Sequence, residues 1–397
     1  MTGDATRPAR PPQRVGTRRS LTCVKRLAAT VIASLAATLG MAIAIQAGAP
    51  GADGWRIVRA PAGFAPDSIS CVSADDCWAT EGGDDADGVW HLAHGAWSAV
   101  STEEGDGLRG LTCLSAIDCW AVGISVVFNS EAETPLIEHW GGDYWSPLTG
   151  ADPRVDGGLD AVACVTATDC WAVGQRYSAN PEGGPPLIEH YSEAGWEAVT
   201  AGSSMDVGLR AVTCVNAHDC VAVGAGLGSR GFPTPLVEEY DGVAWRPARL
   251  PAVMPGSGPA MTALTGVACA AGGACWAVGD AGMYHALVLV RHPNGGWTAL
   301  PLLDGGQLTG VACTGSSAAC WAVGSTAPTG PDAVTRGDLI SGEPLVEAGS
   351  GDSWTALVVP SAPPPAWGGE LLGVACVPSS STCYAVGTGL VETDAVA

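Results

Sequence analysis

The chain is 397 residues long, enough for two or three ordinary domains or for one large repeat fold with a sizeable core. Gly (55) and Pro (28) make up about a fifth of it, and the apolar content leans on Ala and Val, with 15 Trp but only 3 Phe. Seven cations (Arg7, Arg10, Arg14, Arg18, Arg19, Lys25, Arg26) precede residue 27 beside one acid, Asp4. Taking these from 18 basic and 40 acidic residues leaves 11 against 39, a formal −28. A surface of that sign repels phosphate backbones, which excludes nucleic acid as a partner.

Residues 1–49 read as an export signal or an N-terminal membrane anchor. The basic stretch contains Arg18-Arg19 and ends at Lys25-Arg26, an uncharged run follows from Leu27 to Ala49, and small residues close it at Ala47-Gly48-Ala49. The arginine pair resembles a twin-arginine signal, although the Phe and Lys usual after it are missing. Uncleaved, the run is just long enough to cross a bilayer core of roughly 30 Å. Cleaved or retained, it places residues 50–397 outside the cytoplasm, extracellular or at the cell surface, with membrane contact only through residues 27–49. Cys23 precedes the apolar run, so it is not a lipidated cysteine.

From there one unit recurs: Leu-x-x-Val-x-Cys, a short gap, then Cys-Trp-Ala-Val-Gly, with Val221 and Tyr384 replacing Trp in two copies. Its cysteines pair Cys71 with Cys77, Cys113 with Cys119, Cys164 with Cys170, Cys214 with Cys220, Cys269 with Cys275, Cys313 with Cys320 and Cys376 with Cys383. Fourteen of the 15 cysteines are used in this way. After a variable stretch come Pro-Leu-Ile/Val-Glu (ending at Glu138, Glu189, Glu238 and Glu347), a Gly-containing turn, and a tryptophan such as Trp97, Trp145, Trp196, Trp245, Trp297 or Trp354.

Each unit reads as four short strands, exemplified by Leu111–Cys113, Cys119–Val122, Leu136–His139 and the residues around Trp145. Val, Ile and Trp favour strands, Gly, Pro and Asp punctuate them, and no 3.6-residue period is sustained after residue 50. Four strands repeated at about fifty residues predict an all-β, seven-bladed β-propeller over residues 50–397, with four strands and one disulfide per blade. The last unit has strands at Leu371–Cys376, Cys383–Val386 and Leu390–Glu392 and then lacks its tryptophan strand, while Trp55–Val58 stands before the first unit. The ring is therefore expected to close by that single N-terminal strand, which removes exposed sheet edges.

Cys-Trp-Ala-Val-Gly, Pro-Leu-Ile-Glu-His-Trp140 and Trp145 resemble the grammar of kelch-like propellers. There the second strand ends in Val-Gly-Gly, the third carries acidic and aromatic residues, and a tryptophan marks the fourth. One Gly replaces the usual pair, and a cysteine pair spans the first hairpin. The chain is similar to the disulfide-stapled kelch-like repeat proteins exported by bacteria. The resemblance covers residues 54–397 and implies the fold; it implies no particular activity.

Cysteines with five or six residues between them across a hairpin can face each other as a disulfide requires, with Cα atoms ~5.5 Å apart. Zinc prefers closer pairs and four shared N/S ligands, which pairs in separate blades cannot supply. In an exported chain the pairs are expected to be structural disulfides, each contributing roughly 2 kcal/mol by loop closure.

No catalytic constellation stands out. There is no Gly-x-Ser-x-Gly, His-Glu-x-x-His or phosphate loop. His139 and His190 occupy one slot in successive copies, filled by Glu239 in the fourth, and so read as packing residues. Glu138, Glu189, Glu238, Glu347 and Glu392 read as glue between blades. His91 and His94, three apart on a strand, face opposite ways. Asp84, Asp85 and Asp87 begin like a calcium loop that lacks its twelfth-position Glu, which leaves calcium as the single cofactor candidate.

In an up-and-down blade, the first-to-second and third-to-fourth turns share one side of the disc, and here both are short. The other side carries long, variable connections, the pattern of a rigid scaffold presenting binding loops. Acids gather in the fourth-to-first connections: Asp67, Glu103, Glu104, Asp106, Asp152, Asp156, Asp206, Asp304 and Glu370. These form the expected ligand-binding face, suited to basic groups of an extracellular protein or a cell-wall glycan, or to calcium. The expected function is non-enzymatic recognition or scaffolding. The alternative is a glycan-active hydrolase, lyase or oxidoreductase with a site in the central funnel.

Overall fold

Short runs of Val, Ile, Leu, Ala and Trp between Gly-containing turns form antiparallel strands throughout, because such residues suit a pleated, half-buried surface. The structure, a computed structural model, describes residues 42–47, 55–58, 61, 64–82, 88–102, 106–126, 133–152, 154–177, 185–203, 208–228, 231–252, 262–282, 285–314, 319–326, 343–357 and 369–388. Residues 39–397 make one compact unit. Among the described residues no helix is long and apolar enough to cross a membrane.

Two strands come first, β1 (Ala42–Ala47) and β2 (Trp55–Val58). The first blade is β3 (Ser68–Ser73), β4 (Asp76–Glu81), β5 (Gly88–Ala93) and β6 (Ala96–Val100). The second is β7 (Asp106–Ser115), β8 (Asp118–Val126), β9 (Glu133–Trp140) and β10 (Trp145–Leu148). The third is β11 (Gly157–Thr166), β12 (Asp169–Arg176), β13 (Pro186–Ser192) and β14 (Gly195–Val199). The fourth is β15 (Leu209–Asn216), β16 (Asp219–Leu227), β17 (Pro233–Tyr240) and β18 (Trp245–Pro247). The fifth is β19 (Thr262–Cys269), β20 (Cys275–Ala281), β21 (His285–Arg291) and β22 (Trp297–Ala299), with a short β23 (Leu303–Asp304) also paired to β21. The sixth is β24 (Gly306–Cys313), β25 (Ala319–Thr326), β26 (Pro344–Ser350) and β27 (Ser353–Leu357), after which only β28 (Glu370–Cys376) and β29 (Cys383–Thr388) remain.

These six blades are each a continuous four-stranded meander. The expected ring of seven such blades, closed by one N-terminal strand, is corrected accordingly: six blades have that design, and the leftover strands form a composite sheet in the order β2-β1-β29-β28. Two strands, not one, come from the N-terminal side. Beside β29 lies β1, from within the apolar run read as the export segment, paired from Ala42↔Thr388 to Ala47↔Cys383. The physical reason is that Ala-Ile-Ala-Ile-Gln-Ala satisfies a full row of ladder hydrogen bonds and is tied by a short connection to β2, which pairs with it from Ala44↔Val58 to Ala47↔Trp55. Leu390–Glu392, expected in that position, lies outside the described residues.

First strands pack in succession, β3 on β7, then β11, β15, β19, β24 and β28, and β28 meets β3 again. Every sheet carries its expected disulfide between its first two hairpin strands. In the blades, Cys71 bonds to Cys77, Cys113 to Cys119, Cys164 to Cys170, Cys214 to Cys220, Cys269 to Cys275 and Cys313 to Cys320. In the composite sheet, Cys376 bonds to Cys383. The expected spacing is corrected: the Cα atoms stand 4.0 Å apart in every pair, closer than ~5.5 Å, because the two cysteines are directly opposed in the hairpin register. Of the second-strand partners, Cys77, Cys119, Cys170, Cys220, Cys275 and Cys383 are fully buried and Cys320 nearly so, which shields the staples from solvent. Seven disulfides indicate an oxidising environment.

The blades are joined by aromatic cages. Trp78, 1 % exposed, stacks on His91 of its own blade at 4.0 Å and meets Trp140 and Trp145 of the next at 4.7 and 5.5 Å. Trp120 repeats this with His139, Tyr191 and Trp196, and Trp171 with His190, Tyr240 and Trp245. Each histidine is fixed by an aspartate at the head of the second strand, with Nε2 2.9 Å from Asp76, Asp118 or Asp169. The repeated histidines are thus packing residues. Between the fourth and fifth blades the cage is replaced as a set. Val221 stands for the Trp, Glu239 for the His and Arg291 for the Tyr. Arg291 binds Asp219 bidentately at 2.8 Å, lies 3.6 Å from Glu239, and Trp297 Nε1 donates to Glu239 at 3.0 Å.

Two outcomes are expected. Trp55 is 4 % exposed and meets Trp321 edge-on at 5.6 Å, so Trp55→Ala should cost about 3 kcal/mol or more in urea unfolding. An unchanged midpoint would mean that the composite sheet contributes nothing to closure. Arg291→Ala removes the bidentate partner of the partly exposed Asp219 and leaves Glu239 with Trp297 Nε1, and should cost about 1–3 kcal/mol. The triple exchange Val221→Trp, Glu239→His, Arg291→Tyr rebuilds the cage and should recover most of that loss; equal instability of single and triple variants would show that the two interface chemistries are not interchangeable.

Candidate functional site

On the side opposite the cysteine hairpins, six of the seven first strands carry a bulge. The register shifts between Leu108 and Gly110, Leu159 and Ala161, Leu209 and Ala211, Leu264 and Gly266, Leu308 and Gly310, and Leu371 and Gly373. In β3 the matching position is Asp67, just before the pair Ser68↔Thr80. A bulge leaves one residue outside the ladder and re-aims it. It also explains the small residues of the repeat. A Cβ on Gly110 would lie 2.5 Å from the Asp160 carbonyl of the next first strand, and one on Gly123 would overlap the Gly107 carbonyl of its own hairpin.

The bulge residues Arg109, Asp160, Arg210, Thr265, Thr309 and Leu372, with Asp67 at the matching position, alternate in charge over the first four copies. Arg109 Nη1 donates to Asp160 Oδ1 at 2.9 Å, and Arg210 Nη1 lies 3.7 Å from Asp160 Oδ2. Tyr177, at the end of the second strand of the third blade, accepts from Arg109 and donates to Glu133. The threonines bond onward to the neighbouring first strand, Thr265 to the Leu308 carbonyl at 2.8 Å and Thr309 to the Leu371 carbonyl at 2.5 Å.

Carboxyls around this rim are held above their ordinary range, mainly by burial. The Asp67 carboxyl is pushed up by burial, against a hydrogen bond from the Gly82 N–H and the Arg109 charge. Glu81 is raised by burial although Trp90 Nε1 donates to it, and Asp67 adds repulsion. Glu370 is raised by burial, opposed by the Gln307 amide at 2.9 Å, and also feels Asp67. Asp280, on the second strand of the fifth blade, is pushed up to about 6 by burial.

The buried glutamates of the third strands tie down the connections on this side. Glu189 accepts from the Ala151 N–H at 3.0 Å, and Glu238 from the Gly202 and Ser203 N–H groups at 3.1 and 2.6 Å. Burial raises the pKa of both, and of Glu347.

Of the expected acidic face, the structure brings Asp67 and Glu370 together across the junction of the composite sheet and the first blade. Asp152 and Asp156 are exposed beside β11, where Asp152 caps the Arg154 N–H. Glu103, Glu104 and Asp206 lie outside the described residues, as do the calcium candidates Asp84, Asp85 and Asp87, and nothing is described of the side chains of Asp106 and Asp304. No group of three or more His, Cys, Asp or Glu among the described residues is placed to hold a metal ion. The sequence reading passed over Arg109, Asp160 and Arg210. Their signal was present in the variable residue of Leu-x-Gly/Ala, which reads Arg, Asp, Arg, Thr, Thr and Leu over six copies while Leu and the small residue recur.

No family model matches the chain, and no curated protein matches it. Among solved structures it is similar to YCF48 bound to a D1 peptide, at a TM-score of 0.53 and 12% identity over 86% of this chain and 98% of that one. It is also similar to a protein from Lactobacillus plantarum, at 0.51 and 10% over 87% and 99%. These likenesses concern the fold alone.

The raised carboxyls set a direction for stability against pH. A folded pKa above the unfolded value adds stability that is complete below the unfolded pKa and is lost as pH rises through the folded one. Asp67, Glu81, Asp280 and Glu370 should therefore favour the fold more at pH 5 than at pH 8. Asp280→Asn removes the largest such penalty. Its melting temperature should exceed the parent's at pH 8, and the gap should close between pH 6 and pH 4, as read by circular dichroism. A gap independent of pH would show that Asp280 is not held protonated by burial.

Proposed function

We propose that the chain is an exported, kelch-like recognition propeller that works outside the cell or at its surface and holds a peptide segment of a partner protein across its loop-bearing face. The supporting observation is the rim of bulge residues. Side chains from three successive first strands, Arg109, Asp160 and Arg210, meet there with alternating charge, on a frame stapled by a disulfide in every sheet. Such preorganised charge recognises a partner without reordering the site. A solved structure of similar fold, YCF48, is bound to a peptide, which favours a peptide over other extracellular ligands. The acids Asp67, Asp152, Asp156 and Glu370, with those of the remaining connections, would draw basic groups of the partner toward the face. A calcium ion held by Asp84, Asp85 and Asp87 would stiffen a connection of the first blade in the same reading.

The alternative, a glycan-active enzyme, draws support from the raised carboxyls of Asp67, Glu81 and Glu370. Each of these already accepts an N–H, from Gly82, Trp90 or Gln307, and so serves the frame.

An array of peptides and cell-wall glycans, probed with the purified protein and assayed in parallel for glycan cleavage, tests the reading. Saturable peptide binding that weakens with added salt is expected. Release of glycan products, lost in Asp67→Asn or Glu370→Gln, would replace the reading with the enzymatic one.

A further inference from the structure

The bulge rim leaves one cation undercompensated. Elsewhere around it, the charged and hydroxyl side chains make hydrogen bonds: Asp67 accepts from the Gly82 N–H, Arg109 reaches Asp160, Thr265 the Leu308 carbonyl and Thr309 the Leu371 carbonyl. Arg210 breaks the series. It stands 3.7 Å from Asp160 Oδ2, its side chain is 56% exposed, and among the described residues it has no other ion pair or hydrogen bond. Asp160 is 9% exposed and spends Oδ1 on Arg109. The remaining acids of the network lie on the Arg109 side, since Asp67 acts on Arg109 and Glu133 is reached through Tyr177. Two guanidiniums thus share one buried carboxylate, and the surplus positive charge falls on Arg210.

A guanidinium presents five N–H donors in a planar fork that matches a carboxylate, and one held beside a protein wall keeps more of its attraction than one in open water. We propose that Arg210, with Arg109 behind it, receives a carboxylate of a bound peptide, either its C-terminal group or an Asp or Glu side chain, while Asp160 positions both guanidiniums. This rests on the recognition reading above. The exposed Asp152 and Asp156 lie beside the same strand that carries Asp160, so they repel further acid. The fitting carboxylate is therefore one flanked by neutral or basic residues.

Acetate tests the site without any partner. In protein with nitrogen-15-labelled arginine, the Arg210 side-chain signal, assigned by its loss in Arg210→Gln, should shift saturably with sodium acetate and not with sodium chloride at matched ionic strength. No acetate-specific shift overturns the inference. For peptides captured on the array, the C-terminal amide or the internal Glu→Gln analogue should bind roughly tenfold or more weakly, according to which carboxylate is used. Arg210→Gln should erase that difference, and Arg210→Lys should restore part of it. Peptide binding indifferent to both carboxylates and to Arg210 overturns the inference and leaves the recognition reading standing. An acetate shift without any peptide binding overturns that reading and leaves the carboxylate site. Preference for uronic-acid oligomers through Arg210 overturns the peptide assignment.

Discussion

The propeller depends on one close approach, repeated in six of its seven sheets, between the backbone of the first strand at its bulge and the glycine that ends the Val-Gly of the second strand. A Cβ on Gly123, Gly174, Gly224, Gly279, Gly324 or Gly387 would overlap the facing carbonyl, so six copies of the repeat place glycine there. The same approach demands Gly or Ala just after the bulge, where the next first strand passes. Inner strands can then crowd together, and the large side chains are left to the blade interfaces farther along the strands. Small residues inside and tryptophans between blades are two consequences of one geometry.

The interfaces show how far side-chain chemistry can vary once that backbone is set. Three junctions use Trp, His and an aromatic from the next blade, and one uses Val221, Glu239 and Arg291 with Asp219. Both engage the aspartate at the head of the second strand. An aromatic cage gains from dispersion and ring geometry, worth about 0.5–1.5 kcal/mol per pair beyond burial. The ionic version must offset the desolvation of Arg291, which is why its two carboxylate partners are both close. The substitutions come as a set because any one alone leaves a hole or an unpaired charge.

Much of this was legible in the sequence, and the failures are instructive. Four strands per unit, paired cysteines and histidines as packing residues follow from signals within a few residues of each other. Closure is not local. Leu390-Val-Glu392 repeats the third-strand pattern, yet the strand beside β29 is Ala42–Ala47, whose alanines and isoleucines suit an export segment and a β-strand equally. Composition at that stretch carries two meanings, and only pairing partners distinguish them. The rim residues were missed for the opposite reason: a position that reads Asp, Arg, Asp, Arg, Thr, Thr, Leu looks like noise unless the bulge that aims it is known.

That variability is itself physically informative. Where a repeat needs a residue for packing, nearly every copy is constrained alike, as with Gly123 and its five equivalents. At the bulge the ladder makes no demand on the side chain, so identity there is free to answer to neighbours across the rim or to a ligand. Thr265 and Thr309 answer to a neighbouring carbonyl, and Arg109 answers to Asp160 and Tyr177. Among the described residues Arg210 has only a shared carboxylate at 3.7 Å, and the frame gains little from ordering a long, half-exposed cation on such terms. In a chain that after residue 26 carries 11 cations against 39 acids, one of those few arginines stands at the rim with no closer partner among the described residues than the carboxylate it shares, which is the physical ground for assigning it to recognition.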